Sequence, residues 1–388
     1  MTDYLSQNRL LTAKVETTAG TDAEPTAAAN AVACEALRVT PDFAVDQAEN
    51  EHRSSLDAGE PTSLGGGITL PGFGVRLKGS GTAGTAPEAA PLLRACALAE
   101  TVTSSAIAGT ASAGGARTLT LEDASAVQIG MPITLTGGTS SGDTRTIVAI
   151  DGDEVTVDAD WTTETDATSA YSIPVNVLYG GASLDLVNAT LYHYLNSKVS
   201  GLDSILTKVA GAAGNMSLTL QRDQVSLMSF DLRGLLAAAV ATATRPTDAA
   251  FDPTKPPPFR NAACSLGGVS TRLRTFTLDL ANTVEQPDDP TALYGVGPAT
   301  VTRRQTGGSL ALYKEALSTR NVLSQFLDNS ERALAIRYGS VAGNRIAITI
   351  PRLVYSGNPS DTDIGNYAGE SLPFRGLGPD AAAFICHW

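Results

Sequence analysis

The chain has 388 residues, 43% of them hydrophobic, 5% aromatic and 17% charged, with a formal net charge of −13. Such a length holds roughly two or three domains, and the composition is that of an ordered, core-forming chain rich in small residues. The acidic balance excludes a protein that grips nucleic acid through its phosphates, but it suits a wall that phosphate must not stick to.

The first residues, MTDYLSQNRLL, lack the basic start and apolar core of a secretory signal. They lead into LLTAKVE (10–16) and a turn-rich, low-complexity stretch (17–31); a short strand at 36–40 stops at Pro41. Residues 41–75 are polar, charged and glycine-rich, with Gly65, Gly66 and Gly67 near the middle. They predict an extended loop or a solvent-facing hairpin, and a segment this long is unusual unless it has a task. An arm that docks on a neighbouring subunit fits, with Asp46, Glu49, Arg53, Leu56 and Phe73 as its contact residues.

A strand at 74–78, the sequence GSGTAG (79–84) and a helix at 87–98 follow in the order expected of a dinucleotide site. The rest of a βαβ unit is missing, so the glycines are expected to form a plain connection into the helix. Residues 104–116 are nearly all small and read as a linker. Short strands then recur at 118–121, 132–136, 144–150 and 154–158, with Asp-Gly turns between them. Residues 104–170 are therefore expected to be a small inserted β-domain, a barrel or sandwich, within a larger domain made of 1–103 and 171–388.

Beyond it, 209–215 (VAGAAGN) reads as a glycine-punctuated bend, 216–220 and 225–232 as strands, and the proline-rich 247–259 as a surface connection. The alternation at 272–280 and 300–312 predicts strands, with a glycine turn at 305–308, and 321–328 has helical spacing. The clearest pattern is late: 332–338 (RALAIRY) and 346–350 alternate on either side of Gly343 and Asn344, a β-hairpin with the strands at 216–220, 271–280 and 300–312 as candidate neighbours. The tail 358–378 is polar, and 381–388 could close the sheet.

No catalytic set emerges, and no cofactor is implied. Cys34, Cys96, Cys264 and Cys386 lie far apart, as do His52, His193 and His387, so free thiols in a reducing compartment are expected rather than a metal site. The acidic pairs Asp151/Asp153 and Asp361/Asp363 read as solvated turns. No apolar run is long enough to span a bilayer. Trp161, Tyr171 and Tyr179 could make a stacking platform for a host-surface or carbohydrate ligand, against a plain core role for Trp161.

Several segments, in their order, resemble the tail tube proteins of long-tailed bacteriophages. They are KVETTAGT (14–21) with Pro25, Thr26, Asn30 and Ala31; 87–98 with LLRAC (92–96); GAAGN (211–215) and SFDLRG (229–234); FTLDLAN (276–282) and RRQTGGS (303–309); and Tyr338-Gly339, Gly343-Asn344 and ITIP (348–351). At the C-terminus GPDA (378–381) stands where the family has a more acidic ending. The resemblance implies a mainly β protein, a β-sandwich or partly closed barrel with one flanking α-helix, to which the inserted β-domain is added. It implies a homo-oligomer, six copies to a ring and rings stacked into a tube, assembled in the host cytoplasm as part of the virion tail. Other tail proteins (tape measure, tail terminator, distal tail) would be partners, and double-stranded DNA would pass through the lumen unbound, with no membrane involved. Arg303, Arg304 and Arg345 are the expected intersubunit contacts, and a host-surface role for the inserted domain is the alternative.

Overall fold

The structure, a computed structural model, describes residues 4–48, 54, 57, 59–138, 140–199, 201–222 and 224–388. The N-terminal region supplies β1 (Tyr4–Val15), the single turn α1 (Ala27–Asn30), β2 (Ala31–Val32), β3 (Thr40–Asp46), β4 (Thr62–Arg76), α2 (Ala90–Ala95) and β5 (Leu98–Thr103). Shorter strands follow: β6 (Ile107–Thr110), β7 (Ala113–Gly114), β8 (Thr118–Thr120), β9 (Pro132–Leu135), β10 (Thr144–Asp151), β11 (Glu154–Val157) and β12 (Ala170–Ile173). The middle of the chain forms β13 (Asn176–Gly181), β14 (Ala189–Ser197), β15 (Ser204–Gln221), β16 (Leu227–Leu236), β17 (Ala241–Ala243), β18 (Ala263–Leu266), β19 (Val269–Ser270) and β20 (Leu273–Asp279). The last part adds β21 (Thr283–Glu285), β22 (Thr300–Arg303), β23 (Gly307–Tyr313), α3 (Val322–Leu327), β24 (Arg332–Tyr338), β25 (Ile346–Tyr355), β26 (Ser360–Ile364), β27 (Tyr367–Gly376) and β28 (Phe384–His387).

Two long strands, β15 and β25, each serve two layers of an antiparallel sandwich. One layer runs β3–β4–β16–β15–β20–β23–β27–β25–β24–β18. The second leaves β15 at its N-terminal half through β14, β1 and β2, and leaves β25 at its N-terminal half through β28, β13 and β5. The two arms of the second layer do not pair with each other among the described residues, and α2 packs against both, on β1, β14 and β15 of one and β5 of the other. The fold is thus a mainly β sandwich, and no sheet among the described residues closes into a barrel.

Period-2 alternation explains the core. Met216, Leu218 and Leu220 of β15, Met228, Phe230 and Leu232 of β16, Phe276 and Leu278 of β20, and Leu372 and Phe374 of β27 all turn inward. Phe73 stacks on Phe230 and Phe276 on Phe374, with centroids 5.7 and 5.9 Å apart.

The late hairpin forms as the alternation predicts, from Arg332↔Leu353 to Tyr338↔Ile346. Its direct neighbours are β18, β27 and β28; β23 and β20 come only beyond β27, and β15 farther still. The bend expected at 209–215 is instead a bulge inside one strand, at Gly211 with φ +59°. Segments 300–304 and 309–313 do not pair with each other: β22 joins β21, while β23 lies between β20 and β27.

Residues 107–173 make a sheet of their own, in the order β6–β12–β9–β10–β11–β8–β7, so the linker expected at 104–116 already carries two of its strands. Leu119, Ile133, Ile147, Val157 and Trp161 form its core, which continues into Leu178, Ala347, Cys386 and Trp388 of the second layer. These last residues alternate with Tyr179, Ile346, Ile348 and Ile385, which face the main core. The small sheet therefore covers the outer face of the second layer.

Candidate assembly surfaces

Many residues of the resembling segments hold buried polar ties. The Glu16 carboxylate accepts from Gly211 N and Thr190 Oγ1 (both 2.7 Å) and from Gly20 N (2.7 Å), which secures the β15 bulge. Asn282 donates to Cys96 O (2.9 Å) and Gly214 O (3.0 Å), tying the end of α2 to β15. The GxGxxG loop is not a phosphate cradle but one half of a turn-on-turn contact. Gly81 N donates to Gly343 O (3.1 Å) and Gly79 N to Asn344 Oδ1 (2.9 Å). A Cβ on Gly79 would lie 2.1 Å from Gly343 O, so the glycine permits the approach.

The stretch 41–75 is a hairpin. Its base is core: β4 from Ile68 onward pairs with β16, and Ile68, Leu70, Phe73 and Val75 are buried. Phe73 is thus committed to the protomer's own interior, a correction to its place among arm contacts. β3 forms one edge of the layer, paired among the described residues with β4 alone, and every residue of it but Phe43 is exposed, Asp46 included. Glu49, Arg53 and Leu56 lie outside the described residues. The glycine triplet brings a third strand of backbone against the hairpin: Gly66 N donates to Tyr294 O (2.9 Å), which a Cβ on Gly65 would meet at 2.3 Å. Tyr294 also packs edge-on against Phe43, at 5.5 Å.

The outer face of the first layer is a lawn of short polar side chains. Asn215, Ser217 and Thr219 of β15 stand beside Ser229 and Asp231 of β16 and Thr277 and Asp279 of β20, with Ser309 of β23 next in line. Asn215 Nδ2 donates to Asp279 (2.8 Å), and the Thr277 and Ser309 hydroxyls are 2.9 Å apart. The charges among these residues are the carboxylates Asp231 and Asp279, and the cation next along this face of β16, Arg233, is ion-paired with Asp42.

Residues 6–376 match the model of one protein family, described as phage tail tube protein. The chain belongs to the phage tail tube family. It is therefore a structural component of the virion tail, and its family builds a polymeric tube with other tail proteins. No curated protein matches the chain. No helix among the described residues is long and apolar enough to cross a membrane.

Within this tail tube fold, Arg304 is an internal tie. It donates to Ala97 O (2.8 Å) and Ala182 O (3.2 Å) and pairs with Asp380 at 2.7 Å. That corrects its place among intersubunit contacts and gives the divergent 378–381 segment a role inside the protomer. Arg303 remains exposed on β22, and Arg345 is half-buried beside the carbonyl of Ser340 (3.4 Å). The proposed aromatic platform does not form: Trp161 and Tyr171 lie in the core of the small sheet and Tyr179 in the main core, its hydroxyl on Glu100 (2.7 Å). Asp151 and Asp153 flank a hairpin turn, and Asp361 pairs with Lys314 on a strand (2.7 Å). The four cysteines are free, and burial pushes the thiols of Cys34 and Cys264 up to about 12.

Burial pulls His387 down to about 4, and burial with the nearby Arg9 does the same to His193. Unfolded imidazole titrates near ~6.5, so between the two values the unfolded chain binds more protons. The stability that neutral burial preserves is fully present above about 6.5 and is lost as pH falls towards 4, by roughly 3 kcal/mol per imidazole. Thermal melting across this window should show Tm falling with pH, and His387→Leu should flatten that fall.

Proposed function

We propose that copies of this chain join into rings, six to a ring, and that the rings stack head to tail around a channel that conducts double-stranded DNA. Membership of the tail tube family supports the tube. The observation that carries the lumen reading is the outer face of β16, β15, β20 and β23. Short hydroxyl and amide groups with Asp231 and Asp279 dominate it, and the cation beside them, Arg233, is already ion-paired with Asp42, so the face offers phosphate little to hold. The small sheet covers the opposite side of the sandwich, so a lumen on the first face leaves it on the outside of the tube. The edge that β3 forms is a strand left for a neighbour to engage, since a monomer with such an edge risks uncontrolled pairing.

Negative-stain microscopy of the purified full chain tests this: hollow rods of uniform width are expected, and particles that stay single at high concentration would refute the reading. The lumen assignment has its own check. Ser217→Arg with Thr277→Arg should turn rods that ignore DNA into rods that retain it in low salt and release it as salt rises. Rods that still ignore DNA after both substitutions would put the channel on another face.

A further inference from the structure

Helix α3 turns Val322 and Phe326 to the core and two leucines outward. Its spacing suggests one buried face of Val322, Leu323, Phe326 and Leu327, yet Val322 alone is fully buried, while Leu323 and Leu327 are 62% and 67% exposed. They sit one turn apart, so their side chains make a single ridge. Leu317, in the turn ahead of the helix, is 74% exposed. Asp328 closes the ridge as an exposed carboxylate held only by Ser324 Oγ (3.2 Å) among the described residues.

Elsewhere on the chain lies a hollow of complementary character. Between the base of the β3–β4 hairpin and the β14–β15 pair is an open groove of about 630 Å³. Ile68, Leu195, Ile205 and Leu236 give it apolar walls, and Arg9 and Arg38 give it positive charge. Neither arginine has a carboxylate partner among the described residues; Arg9 donates to the carbonyl of Leu37 and leaves its Nε unpartnered. The groove is floored by strands of the β15 side of the sandwich, whereas α3 packs on β25. Ridge and hollow thus belong to different parts of the chain.

We propose that α3 of one copy seats its Leu323/Leu327 ridge in this groove of the next copy, with Asp328 directed to Arg9 and Arg38. The proposal rests on the self-assembling reading above and names a contact surface within it. A helix ridge in an apolar groove is a familiar recognition geometry, and charge of opposite sign at its end fixes direction. Because the two surfaces differ, the contact is heterologous: each copy offers a ridge to one neighbour and a groove to another. It can therefore propagate around a ring or along a fibre.

Two variants of the full chain test it. Leu323→Asp with Leu327→Asp spoils the ridge, and Val240→Asp with Ile205→Asp spoils the groove; Val240 lines the groove and is 55% exposed. Each should raise the concentration needed for assembly about tenfold or more, with melting temperature close to that of the unaltered chain. Mixed in equal amounts, the two should yield a dimer by light scattering, because one intact ridge still meets one intact groove. Variants that assemble like the original chain, or a mixture that shows no dimer, would overturn the contact. Should the groove variant fold poorly, Leu327→Cys with Val240→Cys reports independently. Oxidised assemblies should give a ladder of linked chains that neither single cysteine gives, and assemblies without that ladder overturn the contact alone. An unaltered chain that never assembles would overturn the tube reading and this contact together.

Discussion

Replacing residues 44–64 with a two-residue Asn-Gly turn should leave a folded monomer and abolish tube formation. The cut is chosen from the pairing. Beyond Phe43↔Gly66 the ladder pairs of the described residues are within the hairpin, at Val45↔Ser63 and Asp46↔Thr62. From Ile68 onward β4 belongs to the core, so a wider excision of 42–72 would remove Ile68 and Leu70 and test folding instead of assembly. Asn-Gly suits the tight turn that rejoins the two strands. Far-UV circular dichroism and thermal melting should match the original chain to within a few degrees, since none of the described residues among those removed is buried. Electron microscopy should then find no rods. Rods of normal length from the shortened chain would show that the projecting part of the hairpin is dispensable. That would leave the β3 edge without the role given to it.

Where one face of a strand is large and apolar, the sequence announces it. The hairpin of β24 and β25 follows directly from Leu334, Ile336, Ile346, Ile348 and Ile350. β20 is legible for the same reason. The reading fails where alternation is diluted. β27 buries Leu372 and Phe374, but Gly369, Ser371, Pro373 and Gly376 surround them, so its segment looks like a polar tail. In 41–75 the glycine triplet hides the start of β4, whose small residues answer to an approaching loop at Tyr294, a contact no local pattern encodes. Of the contact residues proposed from sequence, Phe73 and Arg304 turn out to serve the protomer. An aromatic in a glycine-rich stretch resembles an exposed anchor until Phe230 is found above it, and Arg304 meets Ala97, Ala182 and Asp380 only through the fold. The α3 ridge was visible as helical spacing, but not the side it faces: amphipathicity gives a stripe, and tertiary packing decides whether the stripe is covered.

Asp158→Ala should cost about 3–5 kcal/mol and release the small sheet before the sandwich unfolds. Asp158 is buried just after β11, accepting from Thr146 N (2.6 Å) within the small sheet. Its other oxygen reaches out of that sheet to Ser265 Oγ (2.9 Å) on β18 and to the Arg337 guanidinium (3.6 Å) on β24. Arg337 is itself buried, so removing the carboxylate leaves a cation in the interior without its ion-pair partner and with only the weaker pull of Asp143 to offset it, and burial already pulls that guanidinium downward in pKa. The penalty falls on the junction between the two sheets, not on either core. Trp161 and Trp388, the chain's two tryptophans, both lie in the cluster that spans this junction, so their fluorescence reads it directly. In urea the fluorescence transition of Asp158→Ala should precede the far-UV transition, whereas the two coincide in the original chain. Asp158→Leu combined with Arg337→Met should recover much of the loss, because a charge pair replaced by apolar groups leaves nothing uncompensated. A double variant as unstable as Asp158→Ala would assign the loss to the Thr146 and Ser265 hydrogen bonds instead. Coincident transitions in Asp158→Ala would mean that the remaining ties, the apolar contacts of Leu178, Ala347, Cys386 and Trp388 and the Ala159–Gly268 bridge among them, suffice to hold the small sheet to the sandwich.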